Sequence, residues 1–362
     1  MTIVHDSTAA VNDLAESLAD STAPRMGVHT ISEIQFCKRA GLMVIDQKSN
    51  DEGSEFEPAP ALGGLPTHDV EAIREAIRAV RQQLRIPIAW NIAWMTVLLC
   101  GVVTRGIPAL LLFGTAQYYS FQWLLSLLRD YQFLRSRLLQ AENAAIREPD
   151  WTNPVPQPIN WWCLIRAGFV SVEKRRPFED SLIGVSGRPW RVLSRGSRGI
   201  PVLRINEDLK SPDRQRNGEL HRNQMARVGA YAYLISRLER ADVSWAIVLF
   251  GRSDEGVAIP LTDPVWNAFK SAVLTARRVV AESRRDPTMI PAVNGRTTVC
   301  SGCPFGKPQR VVNSSAFRES QNPLFVTQTS NGVPYHSDCG DRYRWVPPHQ
   351  DAIQLGLTTG NH

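Results

Sequence analysis

The sequence predicts an α/β fold, a mixed sheet flanked by helices, together with a transmembrane helical hairpin. Three observations predict it. Residues 86–104 and 107–128 are two apolar runs without a charge. Beyond residue 161 the chain alternates short β-rich runs, punctuated by glycine, with long helical patterns. The last pattern, Asp263 to Arg285, carries Val265, Phe269, Val273, Ala276 and Val280 on one stripe.

Residues 1–28 are expected to be a flexible leader. Met1 to Pro24 holds Asp6, Asp13, Glu16 and Asp20 and no apolar run, which excludes a secretory signal. Residues 29–69 are expected to hold the N-terminal part of the α/β domain and a linker, the acidic stretch with Gly and Pro from Asp46 to Pro66. Residues 70–148 read as a helical stalk, with Val70, Ile73, Ile77, Val80 and Leu84 at the helical period. At about 1.5 Å per residue, each apolar run within it would reach across a hydrocarbon core of roughly 30 Å.

Only Arg105 and Gly106 separate the runs, so they form a tight hairpin. Arg78, Arg81 and Arg85 precede it and Arg129, Arg135 and Arg137 follow it. That bias places both outer ends in the cytoplasm, at the inner membrane. Asn91, Gln117 and Gln122 are polar, which suits instead a buried hairpin of a soluble protein.

Residues 149–310 form the α/β domain. After the proline-rich connector Trp151 to Pro158, the runs FEDSLIGVSG, PWRVLSRG and GIPVLRIN predict a three-stranded meander. A helix, GELHRNQMARVGAYAYLISRLERA, follows, then strands in VSWAIVLFGRS and EGVAIPLT. Asp263 caps the last helix and Pro264 occupies its first turn. Residues 311–362 are expected to be a tail that closes a metal site.

The chain has 362 residues, 43% hydrophobic and 21% charged, which excludes collagen, wholesale disorder and a polytopic transporter. Its net charge is +6, and Cys163 to Arg240 holds 16 basic against 8 acidic residues, which points to a polyanion or an anionic membrane surface. No glycine-rich phosphate loop occurs, so nucleotide hydrolysis by that route has no support. Six cysteines are too sparse for a disulfide scaffold.

HTISEIQFCKRAGLMV, LIGVSGRPWRVL, GIPVLRI, VGAYAYLI and VCSGCPFGKP, in that order, resemble successive motifs of the RecB-like nucleases of the PD-(D/E)XK fold, in particular the CRISPR-associated iron-sulfur exonuclease. The resemblance covers Thr30 to Val44 and about Asp180 to Pro308. It implies a restriction-endonuclease-like mixed sheet, and a four-iron cluster held by one Cys near the start of the domain and three near its end. The departures are specific. The family's strand-turn Asp falls on Trp190, its central Glu and Lys on Leu203 and Ile205, and its helix Gln on Arg227, while Tyr231 is kept. Leu and Ile cannot hold a divalent metal or polarise water. A shifted register offers Asp208 and Lys210, with Asp180 or Glu179 upstream, and only such an active site would take Mg or Mn.

Cys300 and Cys303 form a C-x2-C turn, and His336 and Cys339 an H-x2-C turn. Two closures are open: Cys37, Cys300, Cys303 and Cys339 around a 4Fe-4S cluster, or Cys300, Cys303, His336 and Cys339 around zinc. The expected function is a membrane-anchored, nuclease-like protein that binds or processes DNA at the cytoplasmic face with degenerate catalysis. The alternatives are a non-catalytic scaffold that brings a protein partner to the membrane, or an active metal-dependent nuclease using Asp208 and Lys210.

Overall fold

The computed structural model describes residues 7–20, 22–46, 65, 68–104, 107–174, 176–205, 212–251, 253–285, 326–328 and 334–336. They fall into two units: the described parts of Met1–Phe56, Pro149–Ile159 and Val170–His362 make the first, and those of Glu57–Glu148 and Asn160–Phe169 the second.

The first unit is built on a six-stranded mixed sheet. Its strands, from one edge to the other, are β2 (Gln157–Asn160), β9 (Glu255–Pro260), β8 (Trp245–Phe250), β7 (Arg198–Ile205), β6 (Arg191–Arg195) and β3 (Val170–Val172). β7 is buried along almost its whole length, as a strand covered on both faces must be. It runs antiparallel to β6 and parallel to β8. A parallel pair needs a crossover, and α8 (Arg222–Glu239) supplies it. The helix starts where the His221 N–H donates to Gln224 Oε1 at 3.0 Å, and it stops at Arg240, whose φ of 51° is left-handed. α9 (Asp263–Arg285) buries Val265, Phe269, Val273, Ala276 and Val280 in the same core as α8.

β4 (Phe178–Asp180) and β5 (Val185–Gly187) do not join the meander. They form a separate three-stranded sheet in which β5 pairs in parallel with β1 (Met26–Gly27), Met26 opposite Val185. Gly184, at φ 65°, makes the reversal, and its N-terminal neighbour in space, Pro24, lies so close that a Cβ would meet the Pro24 carbonyl oxygen at 2.9 Å. The third antiparallel strand of the main sheet is instead β3, which pairs with β6. α1 (Ser7–Leu18) is not a loose leader: Val11, Leu14, Ala15 and Leu18 enter the core, because their spacing puts four apolar side chains on one helical face. α2 (Val28–Phe36) and α3 (Lys38–Asp46) follow, and the short α7 (Pro212–Arg216) precedes α8. β10 (Val326–Gln328) pairs antiparallel with β11 (Pro334–His336).

The second unit contains α4 (Val70–Thr104), α5 (Ile107–Asn143) and α6 (Trp161–Arg166). Asp69 caps α4 by accepting the Ala72 N–H at 3.0 Å. Ile73, Ile77, Val80 and Leu84 are buried on α4, and Leu127, Leu134 and Ala141 on α5, which packs beside it. Further along the pair, Asn91 Nδ2 donates to the Pro87 carbonyl at 2.7 Å and to Ser120 Oγ at 2.9 Å, and Gln117 Nε2 donates to Asn91 Oδ1 at 2.7 Å.

The transmembrane hairpin expected at 86–104 and 107–128 is corrected here: among the described residues no helix is long and apolar enough to cross a membrane. Asn91, Gln117, Tyr118, Tyr119, Ser120 and Gln122 interrupt the apolar runs within α4 and α5. The metal-binding and iron-sulfur expectation is corrected as well. Among the described residues no three His, Cys, Asp or Glu side chains come together to hold a metal ion. Cys37 is a free, half-buried cysteine at the joint of α2 and α3, where its N–H donates to the Glu33 carbonyl at 2.7 Å and its carbonyl accepts from Gly41 at 3.0 Å. Cys300, Cys303 and Cys339 lie outside the described residues; His336 ends β11, opposite Val326.

Candidate nucleic-acid interface

Strand alternation sorts the positions at which the resemblance would place catalytic groups. Leu203 and Ile205 share one face of β7 and are buried in the core cluster with α8. Arg204, between them, points the other way. Its Nη1 donates to the Gly251 carbonyl at 2.7 Å, and its guanidinium lies 4.4 Å from the Trp190 ring centroid. The Trp190 ring therefore meets the side chain that points away from the face of Leu203 and Ile205. A carboxylate at 203 would have to be buried among apolar side chains, which is why leucine is stable there.

Asp180 is buried at the end of β4, where it is a structural acceptor. Its Oδ2 accepts the Tyr233 hydroxyl at 2.7 Å and its Oδ1 the Leu182 N–H at 2.9 Å. The hydrogen bond and the negative charge of Asp180 add to burial in raising the tyrosine's pKa. Asp208 and Lys210 lie outside the described residues.

A charged group outside these motif positions lies where α2 and α8 face each other. His29 and Glu33 are one turn apart on α2, Nε2 to Oε1 at 4.0 Å. Arg227 and Tyr231 are one turn apart on α8, and Arg188 follows β5. Burial pushes the His29 imidazole down to about 4, helped by the positive charge of Arg227. Burial raises the Glu33 carboxyl, and Arg227 opposes it. Burial likewise lowers the Arg227 guanidinium against the pull of Tyr231 and Glu33, and raises the Tyr231 hydroxyl against Arg227 and Arg188. Glycine at 187 makes the approach feasible: a Cβ there would lie 2.6 Å from Val28 Cγ2 and 3.0 Å from Tyr231 Cε1.

Around neutral pH His29 is therefore uncharged and Tyr231 protonated, while Arg188 and Arg227 bring two positive charges against one carboxyl. Two guanidiniums suit a phosphate oxygen; they do not suit a divalent cation, which wants clustered carboxylates. Tyr231 is fully buried, so the half-buried Arg188 and Arg227 are the donors open to such a group. The sequence signal for this group was slight, an i,i+4 His/Glu pair next to an i,i+4 Arg/Tyr pair. Nothing local says that the two helices meet.

No protein-family model matches the chain, and no curated protein matches it in sequence.

Proposed function

We propose that the first unit binds nucleic acid through its phosphates without cutting it. The observation that carries the reading is the pairing of Leu203 and Ile205 in the core, where the resembling nucleases place metal chemistry, with Arg188 and Arg227 about Tyr231. Further support comes from the basic excess over Cys163 to Arg240 and from the order β6, β7 antiparallel to it, the crossover helix α8 and β8 parallel to β7, in which PWRVL, GIPVLRI and VGAYAYLI occupy the first three elements.

The test is fluorescence anisotropy of labelled single- and double-stranded DNA with the full chain over a range of salt. Binding whose affinity falls steeply with salt, and weakens at least about threefold in Arg188→Gln, is the expected result, because phosphate contacts release counterions. A gel assay with Mg or Mn should leave the DNA intact. Degradation that disappears in Lys210→Ala would replace this reading with the metal-dependent nuclease, and salt-independent or absent binding would remove nucleic acid altogether.

A further inference from the structure

We propose that the flanks of the α4–α5 hairpin dock on an anionic lipid surface, a contact that does not require either helix to cross it. Around Asn91 the polarity of the hairpin is inverted relative to a pair of helices in water. Between the helices lie the hydrogen-bonded polar groups Asn91, Gln117 and Ser120, with Asn91 and Ser120 buried. Outside lie large apolar side chains, up to Leu99 at 71% and Tyr119 at 72% exposure. Exposed apolar surface of this extent marks an interaction site, because water gains nothing from it.

The arrangement also says what covers it. At 3.6 residues per turn, Ile88, Ile92, Met95 and Leu99 fall on one side of the buried stripe that holds Asn91, and Ile86, Trp90 and Val97 on the other. A single protein surface would cover one of these flanks and leave the other in water. A fluid headgroup layer into which the pair settles lengthwise reaches both without being crossed. No charged residue occurs from Ile86 to Thr104 or from Ile107 to Leu128, while Arg78, Arg81 and Arg85 lie on the stem side of the first stretch and Arg129 and Arg135 on that of the second. Such a collar is complementary to anionic headgroups, and exposed Trp90, Trp123, Tyr118 and Tyr119 are the side chains that favour the headgroup level.

The experiment uses the full chain with phosphatidylcholine vesicles, with and without phosphatidylglycerol, and a second set with brominated acyl chains. The expected result is co-sedimentation that is stronger with phosphatidylglycerol, and quenching of tryptophan fluorescence by the brominated lipid that falls in Trp90→Phe. The double variant Ile88→Glu, Ile92→Glu should lower the bound fraction about tenfold or more, since charge at an apolar lipid contact is strongly disfavoured. Both sites face solvent, so its circular dichroism should match that of the parent. The independent variant Arg78→Gln, Arg85→Gln should keep the quenching but erase the preference for phosphatidylglycerol. Three outcomes overturn the proposal: no binding to either vesicle, binding unchanged in the double glutamate variant, or a concentration-dependent dimer that the glutamates break while vesicles remain unbound, which would make a second copy the occupant.

Discussion

Gly187 stands where β5 passes α2 and α8, and its missing side chain is what lets Val28 and Tyr231 close over it. Gly187→Ala gains roughly 0.4–1 kcal/mol by stiffening the unfolded chain, but the added methyl overpacks a site whose nearest atoms belong to a β-branched residue and a buried ring. Overpacking costs about 1–3 kcal/mol, so the variant should unfold at lower urea than the parent. His29 and Glu33 make a second residue-scale prediction, because burial shifts them with opposite consequences. His29 is held at about 4 against an ordinary 6.5, so the unfolded chain binds the extra proton in that window and the histidine's share of stability grows as pH rises from about 4 to 6.5. Glu33 is held above its ordinary value, so its share is present at low pH and is lost as pH rises through the raised value. The unfolding free energy of the parent minus that of His29→Gln should therefore increase between pH 4.5 and 6.5 and level off above, as read by urea unfolding at several pH values; a flat difference would contradict a half-buried, neutral imidazole. None of this is legible from residue types alone. A histidine and a glutamate one turn apart usually mark a solvated face, and only the approach of α8 changes their environment.

At the scale of elements, the stripes on α4 and α9 were readable because a 3.6-residue period reports directly on one buried face. The meander was not. FEDSLIGVSG has the look of a strand next to PWRVLSRG, yet β4 pairs with β5, and β5 in turn with β1, which precedes it by more than a hundred residues. Local propensity says that a segment is extended; it does not say which neighbour completes its ladder. The α4–α5 pair shows the same limit in another form: Asn91, Gln117 and Gln122 announced a need for partners, and the partners of the first two are each other and Ser120. Asn91→Ala leaves Gln117 Nε2, Ser120 Oγ and the Pro87 carbonyl without that partner in a buried place. The expected loss is about 1–3 kcal/mol, seen as a lower midpoint for loss of helical circular dichroism in urea. Ser126→Ala, on an exposed part of α5 where the hydroxyl only returns to the Trp123 carbonyl, should change the midpoint little.

At the scale of the whole molecule, the first unit is assembled from chain segments that the sequence keeps far apart, and one side chain records it. Arg277, on α9, donates from Nη2 to the Leu18 carbonyl at 2.8 Å, across 259 positions, and to the Ile183 carbonyl at 2.7 Å, across 94. It thereby satisfies the C-terminal end of α1 and the turn between β4 and β5, two places where the backbone runs out of internal partners. Asp20 adds an attraction for the same guanidinium, while partial burial pulls its pKa down. Arg277→Met keeps much of the apolar stem but removes both charge-assisted bonds, and such bonds contribute about 1.5–3 kcal/mol each where they are shielded. With Arg277 only partly buried, a total loss of about 2 kcal/mol is expected, enough to shift a urea midpoint clearly. The location of the damage is the sharper test. Amide hydrogen exchange should quicken most at α1 and around Ile183, far from position 277 in sequence, and α1 should become the first site of proteolysis as Val11, Leu14 and Leu18 leave the core. Exchange that quickens only within α9 would mean that α1 is held by its apolar face alone and that the arginine contributes nothing across the fold.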